Sequence, residues 1–141
     1  MKVILDTNVF LSGIFFAGAP GDILKTWIQG LITLIVSPAI LEEYSRVGQE
    51  LKEEFPAIEY SPFLELLTLH GELVDAPPLP ERVCTDADDD MFLACALASG
   101  AKIIISGDKA LRKTSGYKGV MVLSARDFLD TYLKEKHLTN G

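Results

Sequence analysis

The sequence predicts an α/β fold, a three-layer α/β/α sandwich around a central, mostly parallel sheet. Three observations carry this. Short unbroken apolar runs, "KVIL" (2–5), "ITLIV" (32–36), "KIIIS" (102–106) and "GVMVLS" (119–124), recur along the chain. Strands covered on both faces read as continuous apolar runs, whereas a strand with one wet face alternates. Helical segments separate these runs, the pattern of a parallel sheet with crossover helices. Finally, 141 residues that are 48% hydrophobic suffice for one domain with a sizeable core.

Each element has a local reason. "KVIL" is a short buried strand, and an apolar helical stretch follows over about Val9–Phe16 until "AGAPG" (17–21) breaks it. A helix over about Asp22–Gln29 is expected next, with Asp22 as its cap. After the β-branched strand 32–36, Ser37 and Pro38 supply an N-cap and a first-turn proline for a helix bearing Ile40, Leu41, Tyr44 and Val47 at helical spacing. A second Ser-Pro pair, Ser61–Pro62, opens a helix to about Leu69. "ELVDA" (72–76) reads as a short strand and "PPLPER" (77–82) as an extended connection. The segment "TDADDDMFLACALASG" (85–100) gives a loop and then a helix over about Asp88–Ser99, stopped by Gly100. Strand 102–106, strand 119–124 and a last helix from the Ser124 cap to about Lys136 complete the chain, with residues 136–141 as a frayed tail. Residues 1–141 are thus read as a single domain.

Composition narrows the function. Twenty acidic against thirteen basic residues give a net charge of −7, so the chain has no global attraction for nucleic acid. Any nucleic-acid substrate must be drawn by a local basic patch or by bound cations. No apolar run approaches a membrane span, and "MKVILDTNVF" lacks a signal-peptide core. Two cysteines, Cys84 and Cys95, without CxxC spacing argue against a disulfide framework or a zinc site. Cys95 sits in an apolar helix as a small core residue. These features fit a cytoplasmic setting.

The chemistry concentrates in acids just past strand ends, where open parallel sheets bind ligands. Asp6 directly follows the first strand. Asp108 follows 102–106 after one glycine. Asp90 lies in the first turn of the helix leading to that strand, and Glu42 and Glu43 in the second turn after strand 32–36. Carboxylates crowded together without a cation would protonate or disrupt the fold. Mg²⁺ or Mn²⁺, hard cations that take oxygen ligands, would make one or two metal sites of them, suited to phosphodiester hydrolysis. Asp90 is assigned to the metal because it precedes the buried helix face of Phe92, Leu93 and Ala96. Asp86 and Asp88 are read as solvated or capping. Asp89 is left as a possible hydrogen-bond support.

Taken together, "ILDTNVFLSG", "SPAILEEY" and "DADDDMFLACALASGAKIIISGDKAL" resemble the PIN-domain family, and within it the VapC-type toxins of toxin–antitoxin pairs. The resemblance spans about residues 2–130. It implies a PIN-like fold and a Mg²⁺- or Mn²⁺-dependent endoribonuclease that acts on RNA, with a cognate antitoxin protein and a homodimer as partners. Carried over residue by residue, the family's acids fall on Asp6, Glu43, Asp90 and Asp108, with Glu42 the alternative to Glu43. Asn8 and Ser106 would support them through hydrogen bonds.

Other features were weighed against these. Lys109, Arg112 and Lys113, with Lys118 and Lys25, are either a solvated face or a phosphate-positioning patch. His70 and His137 stand alone and receive no role. Trp27 and Tyr44 read as helix packing. An aspartate-nucleophile phosphatase would want a second Asp two residues after Asp6, where Asn8 stands. A non-catalytic metal-binding module and an RNA-processing nuclease are the remaining alternatives. Apolar faces around 9–16 and 62–69 are candidates for pairing two copies.

Overall fold

A computed structural model describes residues 1–133. Five strands, β1 (Lys2–Leu5), β2 (Thr33–Val36), β3 (Glu72–Leu73), β4 (Ile103–Ile105) and β5 (Met121–Leu123), form one sheet in the order β3-β2-β1-β4-β5. Every pairing is parallel, with Val3 opposite both Leu34 and Ile103, and Ile104 opposite Val122. The expected α/β architecture is thus present, and "mostly parallel" becomes fully parallel. Consecutive residues of a strand point to opposite faces. In β1 and β4 they are all buried: Val3, Ile4 and Leu5, then Ile103, Ile104 and Ile105. Both faces of the sheet are therefore covered, the physical content of a three-layer sandwich.

The helices are α1 (Thr7–Phe15), α2 (Ala19–Ile28), α3 (Pro38–Glu54), α4 (Ser61–His70), α5 (Asp90–Ser99), α6 (Lys109–Arg112) and α7 (Ala125–Phe128). Ser37 caps α3, its Oγ accepting from the Ile40 N–H at 3.3 Å, and Ser124 caps α7, accepting from the Asp127 N–H at 3.1 Å. Gly100 ends α5 in the left-handed conformation, φ 79°, that glycine adopts without a Cβ penalty. Gly13 lets α1 and α2 approach closely: a Cβ there would meet Leu24 Cδ1 at 2.7 Å and the Pro20 carbonyl oxygen at 2.8 Å.

Two expectations are corrected, and one unassigned segment proves helical. Helix α2 begins at Ala19, three residues before Asp22. Pro20 fits its first turn and Gly18 takes the cap position, so Asp22 lies inside the helix. Residues 109–112, to which the sequence assigns no element, form the short helix α6, capped by Asp108, whose Oδ1 accepts from the Ala110 N–H at 2.9 Å. The 9–16 face is spent on the core: Val9, Phe10, Leu11 and Phe15 are buried and only Phe16 is open at 51% exposure. The final helix is described to Leu133, and the expected continuation to Lys136 and the tail 136–141 lie outside the described residues. Tyr44 packs as expected, stacked on Phe10 with ring centroids 4.4 Å apart, while its hydroxyl donates to the Leu5 carbonyl. Cys84 and Cys95 are both buried free thiols.

Candidate active site

The chain runs β1, β2, β3 outward on one side and then returns to place β4 and β5 on the other side of β1. The direction of winding reverses between β1 and β4, and the carboxyl ends of that pair open the crevice where such sheets bind ligands. Asp6 follows β1 there, and Ser106 and Asp108 follow β4.

Ser106 joins the two strand ends. Its side chain is fully buried; Oγ donates to Asp6 Oδ2 at 2.6 Å and accepts from the Asp108 N–H at 3.0 Å. One hydroxyl thus fixes the Asp6 carboxylate and the backbone at Asp108 together. Thr7, the first residue of α1 and also buried, donates its hydroxyl to Glu43 Oε2 and so brings α3 to the same place. The position of Thr7 beside Asp6 is the sequence signal for this role. Glu42 is exposed and makes no side-chain hydrogen bond to the cluster among the described residues. Between the two, Glu43 is therefore the one tied to the cluster. Asn8 is exposed, and its amide makes no side-chain hydrogen bond among the described residues.

The run of aspartates resolves differently from its sequence reading. A 3-10 turn, Ala87–Asp89, precedes α5, and Asp86 caps it by accepting from the Asp88 N–H at 3.0 Å. Asp90 turns its carboxylate back onto the preceding loop. Oδ1 accepts from the Cys84 N–H at 2.7 Å and Oδ2 from the Val83 N–H at 3.1 Å. Partial burial opposes its charge, but the Cys84 thiol, these two N–H groups and the Arg82 guanidinium outweigh that and hold the carboxyl below its ordinary range. Asp89 instead faces the other acids. Burial, then the negative charges of Asp6, Asp86, Asp108 and Glu43, push its carboxyl up to about 7. Asp6 is also raised, first by burial and then by Asp108 and Glu43, against the lowering hydrogen bonds from Ser106 and its neighbouring backbone.

Asp6, Glu43, Asp89 and Asp108 thus share one electrostatic neighbourhood, drawn from four separate parts of the chain. Among the described residues, no three carboxylate, imidazole or thiol groups are already closed around a single point. The donor set is nonetheless all hard oxygen, and two of its members, Asp6 and Asp89, are destabilised as anions by burial first and by neighbouring negative charge second. Both properties fit a divalent cation such as Mg²⁺ or Mn²⁺. Of the basic candidates, Lys109 and Lys113 are exposed, while Arg112 is half-buried with its Nε buried and unpartnered among the described residues.

A cleft of about 660 Å³ opens beside Glu43, between the first turns of α3, the segment 76–82 and the start of α5. Its floor is apolar, with Pro78, Leu79 and Met91, and Arg46 and Arg82 contribute its positive charge. No helix among the described residues is long and apolar enough to cross a membrane.

A parallel α/β domain with acids gathered at the winding reversal is a recognisable class, and comparison places this chain in it. Residues 2–110 match the PIN domain, and the chain belongs to that family. It is also 34% identical over 116 residues to an uncharacterized protein, MJ1680, of Methanocaldococcus jannaschii, covering 79% of this chain and 73% of that one. PIN domains are generally nucleases, and PIN nucleases generally use divalent metals.

Proposed function

We propose that this chain is a Mg²⁺- or Mn²⁺-dependent endoribonuclease whose metal ligands are Asp6, Glu43, Asp89 and Asp108. The observation that carries the proposal is the meeting of these four acids at the carboxyl ends of β1 and β4, with burial and mutual repulsion raising Asp6 and Asp89. When bound, the cation neutralises the acids and supplies an activated water and charge stabilisation at the phosphodiester. The chain's own residues prepare the site. Ser106 orients the Asp6 carboxylate and anchors the backbone of Asp108. Thr7 orients Glu43. Asp90, rather than serving as a ligand, holds the 83–84 backbone against the start of α5 and so sets the place of Asp89. Lys109 and Lys113 are available at the strand ends to meet substrate phosphates.

Within that activity we read the chain as the toxin of a toxin–antitoxin pair, on the resemblance of its DTN, SPAILEEY and DADDD segments. A small protein encoded next to it that binds this chain and stops cleavage is the expected partner. A homodimer would have the exposed Phe16 and Leu69 to pair on, and sedimentation at micromolar concentration tests it. Activity is tested by incubating the purified protein with a mixed RNA pool in Mn²⁺ and in EDTA, alongside Asp6→Asn. Fragments that appear only with wild-type protein and Mn²⁺ support the proposal. Equal cutting by Asp6→Asn at saturating Mn²⁺ overturns it.

A further inference from the structure

We propose that the cleft beside Glu43 is a subsite for one unstacked nucleotide of single-stranded RNA, its phosphate held by Arg46 of α3 and Arg82 of the segment 76–82. This rests on the reading of the chain as an RNA-cutting nuclease.

Size and continuity point to a nucleotide. The volume, about 660 Å³, lies within the roughly 300–1,000 Å³ of small-molecule sites. Glu43 forms part of the lining, so the cleft runs directly into the acidic cluster. The floor of Pro78, Leu79 and Met91 offers apolar contact to a base face and no charge to pair. Proteins that read single strands splay bases out and stack them on aromatic rings or guanidinium planes; this cleft has no aromatic lining residue among the described residues, so its base contact is apolar packing alone.

Charge places the phosphate. Among the described residues Arg46 and Arg82 are the only cations that line the cleft, against five carboxylates, Glu42, Glu43, Glu81, Asp88 and Asp90, so these two guanidiniums alone can hold an anion there. Arg46 is poorly occupied. Its side chain is 60% exposed, and its guanidinium stands 3.4 Å from Glu43 and 3.8 Å from Glu50. Charge-assisted bonds of full strength are about 2.7–2.9 Å long. Cation uptake by Glu43 would loosen the first of these pairs further. Arg82 spends one nitrogen on the Thr85 carbonyl at 2.6 Å, which orients it, and its other donors have no hydrogen-bond partner among the described residues. The planar fork of arginine matches phosphate oxygens. Lys109, Arg112 and Lys113 do not line this cleft, so the subsite is separate from the basic run after β4.

The test is binding of a labelled single-stranded RNA by the full chain in Ca²⁺, with salt varied from about 50 to 200 mM. Each phosphate contact to a single strand contributes about 0.7 to the slope of log affinity against log salt. Arg46→Ala and Arg82→Ala are each expected to weaken binding and flatten the slope by about 0.7. Arg46→Lys keeps the charge and is expected to restore the slope. Lys2→Ala, at the amino end of β1, is expected to leave it unchanged. A merely structural role for the arginines would lower melting temperature without moving the slope. If the wild type cuts the same RNA in Mn²⁺ while both arginine variants keep the wild-type slope, the subsite is wrong and the nuclease reading stands. If the RNA is neither bound nor cut in any divalent ion, the nuclease reading fails and takes this inference with it.

Discussion

Exchanging Asp89 and Asp90 for asparagine should have opposite consequences, although the two residues are adjacent and chemically identical. Asp90 accepts from two backbone N–H groups, of Cys84 and Val83. Hydrogen bonds to a charged acceptor contribute about 1.5–3 kcal/mol each. Asparagine keeps one acceptor oxygen and turns an NH₂ toward the second N–H. Asp90→Asn should therefore lose about 2 kcal/mol, a fall in Tm of about 8 °C for a domain of this size. Asp89→Asn removes a carboxylate that sits among four other acids, so it should hold or gain stability without metal. The assay is thermal unfolding by circular dichroism at pH 7.5 in EDTA, followed by cleavage in Mn²⁺ well below either Tm. Asp89→Asn should melt no lower than wild type and lose most cleavage. Asp90→Asn should melt lower and keep most of its cleavage, because one of the two amide contacts that set the place of Asp89 remains. An Asp90→Asn protein that melts with wild type but cannot cut would show that Asp90 serves the metal, and the reasoning would be refuted.

Further predictions concern the same neighbourhood and its support. Asp6 and Asp89 are raised in the folded state, so between about pH 4 and 7 the native protein binds more protons than the unfolded chain, and their contribution to stability falls as pH rises. Asp89→Asn should remove part of this slope, gaining about 1–2 kcal/mol over wild type above pH 7 after discounting for solvent exposure; melts in EDTA across pH 4–8 check it. Asp90 has the opposite sign: its stabilisation is present above its unfolded value and is lost as the solution is acidified below about pH 4. Ser106→Ala leaves the Asp108 N–H without its acceptor and Asp6 without its donor, and should cost about 1–3 kcal/mol by urea unfolding. Gly13→Ala should cost about 1–3 kcal/mol, because the new methyl meets the Pro20 carbonyl oxygen as well as the Leu24 side chain, and the backbone cannot swing aside as the side chain can.

Where residue chemistry is tied to a periodic element, the sequence was sufficient to place it. The strands were legible because a covered strand must be apolar at every position, and Asp6 and Asp108 were legible because they follow such runs directly. Ser37 and Ser124 announced their helices through cap chemistry. The aspartate run was not legible in this way. Four acids in six positions carry no periodic signal, and one residue along a helix turns the side chain by about 100°. The 3-10 turn at 87–89 decides which carboxylate faces the crevice, and the loop at 83–84 decides what captures the other. Neither feature has a pattern that a single sequence displays. The cleft escaped notice for a related reason, since its floor comes from the irregular proline segment 77–80, which packs by tertiary contact alone. Helix α6 is four residues long, too short to show a period.

The central claim is that side chains of Asp6, Glu43, Asp89 and Asp108 take up one or two divalent ions. Anomalous scattering from crystals soaked in Mn²⁺ examines it most directly. The account predicts a peak at about 2 Å from carboxylate oxygens of Asp6 and Asp89, with Asp90 still bound to the Val83 and Cys84 amides. Crystals that take up no manganese there, or a peak held by Asp90 with Asp89 turned to solvent, would contradict it.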